Sequence, residues 1–280
     1  MSSRTGAGVA VTPQMLRFSF AVINSRNTIE NLGLRPLSAR SVVLSVLLGT
    51  HPPELPVSAL VALGGAFGIA AGTVRTAVSR MLAAGELAAT ERGYALSGRL
   101  LTRQRDQDVG RTLAPTDWDG RWWVVTTLDT RRTASDRREF RTAMEGAKLG
   151  ELRPDTWMRP TNLPVGCDRT DMILTHGGLD PARSAELVET LWDLPALDRQ
   201  ARGLLDGLEE AAARLESDAS AAGIAPGFTV LAACLRLLRV EPQLPEELAG
   251  SGSAAVLRTR YPEVEEALQR RLRRLFRRAQ

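Results

Sequence analysis

A chain of 280 residues with 44% hydrophobic content can bury a large core, and at about 150 residues per domain it suggests roughly two domains. A charged fraction of 24%, a net charge of +4 and a pI near 9.8 describe an ordinary, mildly basic chain that is compatible with a nucleic-acid partner. No run of about eighteen apolar residues occurs, and no basic segment precedes a continuous apolar stretch, so neither a membrane span nor a signal peptide is expected and the chain reads as cytoplasmic.

Residues 1–37 lack sustained periodicity and read as a mobile leader. Residues 38–112 read as a compact unit of three helices and two strands. Ser38 can cap a first helix with Val42, Val43, Val46 and Leu47 inward, ended by Thr50-His51-Pro52-Pro53. A second helix is expected near Val57–Phe67 and is broken by Gly68. A third runs near Ala71–Ala84 and is closed by Gly85. Two short strands follow, near Leu87–Glu91 and Tyr94–Ser97, with Arg92-Gly93 at the tip.

Residues 113–180 open with Trp118–Thr127, a strand by its β-branched and aromatic content that sends Trp122 and Trp123 to opposite faces. A charged helix near Ala134–Leu149 comes next, then a strand in the second half of Glu151–Pro160, and a short strand near Asp171–Thr175. Residues 181–280 are helical by pattern. Asp180-Pro181 is a helix start, Phe228–Val240 is apolar enough to be buried, and Tyr261–Arg278 carries leucines on one face and arginines on the other.

The third helix carries the functional signal. Val74, Val78, Met81 and Leu82 share one face, which leaves Thr73, Arg75, Thr76, Ser79 and Arg80 outward. Short polar side chains let such a helix lie close to base edges in a major groove, and arginine reaches guanine or phosphate. The hairpin that follows would act as a wing, with Arg92 meeting an adjacent phosphate or minor groove. A plain three-helix bundle with a solvated polar face has the same helix pattern; the order turn, helix, glycine, hairpin favours DNA.

Other constellations carry less. Asp168, Asp171 and His176 lie near Cys167 but match no metal-ligand spacing, so loop residues are the ordinary reading. His51 abuts two prolines and ends a helix. Gly64-Gly65-Ala66-Phe67-Gly68 lacks the Lys-Ser/Thr of a phosphate loop. Cys167 and Cys234 read as reduced thiols in or near a core. Trp118, Trp122, Trp123, Trp157 and Trp192 read as core or domain-interface residues. Arg121, Trp157 and Arg159 are the candidates for holding an anionic effector. The basic tail Arg270–Arg278 suits DNA, a membrane surface or an acidic partner, with a solvated face as the plain alternative. Lys148 is the only lysine; a GC-rich genome is the simplest reason that the other cationic side chains, histidines apart, are arginine.

These pieces together resemble the PaaX family, repressors of phenylacetate catabolism and their relatives. The resemblance rests on the third helix with its hairpin, on Trp118-Asp119-Gly120-Arg121-Trp122, on Leu152-Arg153-Pro154 with Trp157-Met158-Arg159-Pro160, on Leu191-Trp192-Asp193-Leu194, and on Arg239-Val240-Glu241-Pro242-Gln243-Leu244-Pro245, taken in that order. It departs from the family pattern at Gly250-Ser251-Gly252-Ser253, where Trp-Pro-Gly is usual. The resemblance implies an α+β multidomain chain: an N-terminal winged helix-turn-helix, a middle ferredoxin-like α+β domain and a C-terminal helical domain. It also implies a homodimer on palindromic double-stranded operator DNA, released by an acyl-CoA or aromatic-acid effector, with no cofactor, no metal and no membrane. Two other functions remain on the sequence alone. One is a metal-dependent nuclease of the middle domain, with Asp129 after its first strand; the other is a protein-interaction module.

Overall fold

The computed structural model describes residues 37–98, 100–101, 104, 115–128, 133–165, 171–217, 223–250 and 252–279. The expected leader, Asp129, Cys167 and Asp168 lie outside them. The chain is a mixed α+β protein with two antiparallel sheets and, among the described residues, nine helices. None of these helices is long and apolar enough to cross a membrane.

The N-terminal unit begins with α1 (Ala39–Leu48), whose first turn is capped by the Ser38 hydroxyl accepting from the Ser41 amide. Val42, Val43, Val46 and Leu47 face inward, as their spacing predicts. Gln104 closes the other end, where its side-chain amide donates to the carbonyls of Leu47, Leu48 and Thr50. These are terminal carbonyls that a helix cannot satisfy itself. A two-residue strand, β1 (Glu54–Leu55), then leads into α2 (Val57–Ala66). A turn of four residues, with Gly68 at φ +70°, connects it to α3 (Ala71–Ala83). The hairpin β2 (Leu87–Thr90) and β3 (Gly93–Leu96) follows, and β1 joins it to give a three-stranded sheet in the order β1-β3-β2.

The middle unit is a four-stranded sheet of β4 (Arg121–Thr127), β5 (Gly150–Arg153), β6 (Thr156–Pro160) and β7 (Met172–Gly178), in the order β5-β6-β4-β7. Helix α4 (Ala134–Gly146) joins β4 to β5 and is opened by a capping box between Thr133 and Asp136. Strand alternation sorts the two faces. Val125 and Trp157 meet Phe140 and Met144 of α4 on one side. Trp122 and Met158 meet Leu187 and Val188 of α5 (Pro181–Leu191) on the other. The expected opposition of Trp122 and Trp123 holds in this register.

The remaining helices are α6 (Leu194–Ser217), α7 (Ile224–Val240), the single turn α8 (Glu246–Ala249) and α9 (Ser253–Arg278). They do not form a core of their own. Leu204, Leu208, Phe228, Leu231, Leu257, Val264 and Leu268 belong to one apolar cluster with Val46, Leu60, Leu63, Val78 and Met81 of the N-terminal unit. Phe67 meets Phe228 edge-on at 5.6 Å between ring centroids. The C-terminal helices therefore pack against the N-terminal unit in one shared apolar core.

Candidate nucleic-acid interface

The site is built from the way α3 sits on α1 and α2. Val74, Val78 and Met81 are almost fully buried at 1–2% exposure. At 100° per residue that fixes the opposite face outward. Thr73, Arg75, Thr76, Ser79 and Arg80 are all exposed, and among the described residues no other element covers them. Close seating of α3 depends on Gly64, because a Cβ there would stand 2.4 Å from Val74 Cγ2.

The exposed face is electrostatically simple. Neither α2 nor α3 contains a carboxylate. Among the described residues Arg75, Arg80 and Arg92 make no hydrogen bond or ion pair, whereas Arg40, Arg141, Arg202, Arg214, Arg258 and Arg260 each hold a carboxylate. The N-terminus of α3 has Ala70 as its cap, with no side-chain bond and no acidic residue in the first turn. Its positive end is thus open to an anion. Thr76 is the one polar member already engaged. Its hydroxyl donates to the Gly72 carbonyl at 2.9 Å, which leaves it an acceptor and a methyl group toward solvent.

Arg92 stands at the far end of the hairpin, in a turn whose corner residues are Glu91 and Arg92; Gly93 follows at φ +147°. Gly93 is required there twice over. A Cβ would lie 2.3 Å from the Leu55 carbonyl oxygen and 2.6 Å from Pro56 Cα. Thr90 ties the tip back to β1 through a hydrogen bond to the Glu54 carboxylate.

The three residues proposed for an effector stand in different surroundings. Arg121 is exposed and pairs with Asp119 at 3.5 Å. Trp157 is a core residue at 3% exposure, edge-on to Phe140 and covered by the Arg141 guanidinium at 5.6 Å. Arg159 is only 1% exposed and donates to carbonyls of Ala147, Pro160 and Pro242 and to Asn162 Oδ1. Burial lowers its pKa to about 10, so it stays protonated at neutral pH. A buried guanidinium whose N–H groups are met by its own chain acts as a structural clamp.

That clamp has partners the sequence reading missed. Lys148, at φ +62° just past α4, donates to the carbonyls of Leu238 and Glu241 at 2.9 and 2.7 Å. Asn162 donates to the Gln243 carbonyl at 2.8 Å. Burial pulls the Lys148 ammonium down to about 8; Glu241 opposes this and Arg258 and Arg159 add to it. Two cations and an amide of the middle unit therefore close the carboxyl end of α7 and the strand-like segment after it. On the other face of the sheet, Trp118, Trp122, Met158, Trp192, Leu244 and Leu248 share one cluster. Trp122 stacks near Trp192 at 6.5 Å, and its indole N–H meets the Ser184 hydroxyl at 3.1 Å. The Trp-Asp-Gly-Arg-Trp, Trp-Met-Arg-Pro, Leu-Trp-Asp-Leu and Glu-Pro-Gln-Leu-Pro segments thus converge on the junction of the middle sheet with the C-terminal helices.

Among the remaining candidates, His176 lies against the Trp123 ring at 5.0 Å. No group of three or more His, Cys, Asp or Glu placed to hold a metal occurs among the described residues. Cys234 is fully buried, and burial pushes its thiol up to about 12.

A basic helix seated on two others and followed by a short hairpin, all carried on an α+β body, defines the class of chain. Comparison with known proteins gives the same answer. Residues 38–100 match the family described as PaaX-like protein. A solved structure, the uncharacterised protein Rv0674 from Mycobacterium tuberculosis, is similar over 85% of this chain and 98% of its own, at 35% identity and a TM-score of 0.66. No curated protein matches. The chain belongs to the PaaX-like family.

Proposed function

We propose that the protein is a sequence-specific DNA-binding transcriptional regulator whose N-terminal unit is a winged helix-turn-helix. The observation that carries this reading is the outer face of α3: five polar side chains, with no carboxylate on the helix and, among the described residues, no partner for its two arginines and no element over it. Arg75 and Arg80 contact guanine edges or phosphates, Thr73, Thr76 and Ser79 allow close approach, and Arg92 reaches the neighbouring backbone. The four-residue turn with Gly68 and the β2–β3 hairpin are the parts such a unit needs around its reading helix.

The middle unit is read as ferredoxin-like on its strand order, with α5 placed after β7 on the face opposite α4. It and the helices behind it serve as the body of a homodimer on a palindromic operator, acting as a repressor released by a small anionic effector. A ligand shifts only an equilibrium between states that it binds differently, so its site must lie where the body can change shape.

A pool of random duplexes, enriched by binding to the protein and sequenced, tests the proposal. A recovered consensus is expected, with Arg75→Ala and Arg80→Ala each weakening binding to it by about tenfold or more. Folded Arg75→Ala and Arg80→Ala proteins that bind the consensus as tightly as the parent would remove α3 as the reading helix. Binding that ignores salt would point to a protein partner instead.

A further inference from the structure

The C-terminal helix ends in a second set of arginines. Along α9 the apolar residues Leu257, Tyr261, Val264, Leu268 and Leu272 are buried, and Leu275 and Phe276 pack half-buried against the same core. Arg271 is buried too and donates to the Leu215 carbonyl at 2.9 Å. Arg273, Arg274, Arg277 and Arg278 remain exposed, and among the described residues none makes a hydrogen bond or ion pair. This is unlike the rest of the helix, where Arg258, Arg260 and Arg270 each hold a carboxylate.

Their position follows from one contact. The Gln269 side chain donates to the Gly49 carbonyl at the end of α1, and α9 packs against α2. Residues four apart stand in one row on a helix. Arg273 and Arg277 therefore continue the row that Gln269 begins, about 6 and 12 Å beyond it along the axis. Arg274 and Arg278 continue the row of Arg270. The basic rows ride on the N-terminal unit itself, on the element that backs the first helix of its helix–turn–helix pair.

We propose that this end of α9 is a second, sequence-independent DNA contact that grips backbone phosphates while α3 reads bases. The proposal rests on the DNA-binding reading above. Favourable interaction with the helix dipole accounts for cations in the last turn, but Arg273 and Arg274 lie a turn further in. A membrane surface is a poorer fit, because a surface-bound helix must bury a free apolar face and this one is already packed on the protein's own core. Arginine forks match phosphate oxygens, and a duplex offers them in rows.

The experiment measures binding to the selected consensus duplex and to a random duplex by fluorescence anisotropy over a salt series. It compares the parent with a protein carrying Arg273→Ala, Arg274→Ala, Arg277→Ala and Arg278→Ala together. Alanine keeps helix propensity, and circular dichroism with a melting curve checks the fold. The expected result is a loss of about tenfold or more on both duplexes, an unchanged ratio between them, and a salt slope shallower by about 0.9 for each phosphate contact removed. Arg75→Ala instead lowers the ratio. If the quadruple protein fails to fold, Arg277→Ala with Arg278→Ala, confined to the last turn, must still flatten the slope. A parent that binds DNA with a slope identical to the quadruple protein's overturns the α9 contact alone, and so does a loss confined to phosphatidylglycerol vesicles. A parent that binds no duplex overturns the DNA-binding reading with it.

Discussion

Replacing Gly64 by alanine gives a direct measure of how tightly α3 is held. The new Cβ would meet Val74 Cγ2 at 2.4 Å, about 1 Å inside ordinary contact. Val74 is 1% exposed, so its methyl groups have no empty space to turn into. Either α3 moves outward or Val74 leaves its rotamer, and overpacking of this kind costs about 1–3 kcal/mol. The gain in helix propensity from glycine to alanine, up to about 1 kcal/mol, offsets part of it. Val74→Ala alone should cost about 1–2 kcal/mol through its cavity. The double variant should cost less than the sum of the two, because alanine at 74 leaves room for the new Cβ. Urea unfolding of the four proteins gives this coupling, and DNA affinity over the same set shows whether the shift of α3 reaches the reading face. Simple additivity would mean that the two helices are not in the contact described, and the placement of the outer face would fall with it.

Four further outcomes are expected. Gly93→Ala forces a Cβ to 2.3 Å from the Leu55 carbonyl at a positive φ; it should lower stability by about 3 kcal/mol, and an unchanged urea midpoint would refute the β1–β3 pairing. Arg159→Met strands buried carbonyls at the junction and should cost about 2–4 kcal/mol; a protein with parental melting that has lost only its response to an effector would restore the binding role. Lys148 sheds its proton near pH 8 when folded but near 10.5 when unfolded, so its contribution is flat below pH 8 and stability rises as pH climbs toward 10.5. The rise is at most about 3 kcal/mol, and roughly half that for an ammonium that still meets solvent; Lys148→Met should lack it, and a parent-to-variant gap in melting temperature that stays constant from pH 7 to 10 would show otherwise. In a Cys167→Ser protein, Cys234 should resist a disulfide reagent at pH 8 until urea is added, since the folded thiol stays protonated to about 12.

Much of the N-terminal unit is legible in the sequence because each of its helices shows its inner face by spacing and ends on a marked residue. Ser38, Gly68 and Gly85 stand at the boundaries that the structure gives to α1, α2 and α3. The strand β1 is not legible, since two residues cannot show alternation, and β5 is hidden by the charged pair Glu151 and Arg153 on a bulged edge. Helix α9 starts well before its expected first residue, Tyr261. Pro262 marks a helix start by every local rule, yet here it sits within the helix, held by packing on α6 and α7. The outward set on α3 follows from periodicity alone. The fate of Arg159 does not, because its Pro242 partner is a backbone carbonyl 83 residues away, and only the folded chain shows that its charge is enclosed.

The continuous core behind α1–α3 ties the N-terminal unit to the C-terminal helices. Cutting the chain after residue 98 would expose Leu60, Leu63 and Phe67 where α7 and α9 now lie, and the fragment should aggregate or fail to hold α3 in place. The same arrangement gives strain in the tail helices a short mechanical route to the outer face of α3. Any molecule that loosens α9 from α2 would be felt in how α3 is seated.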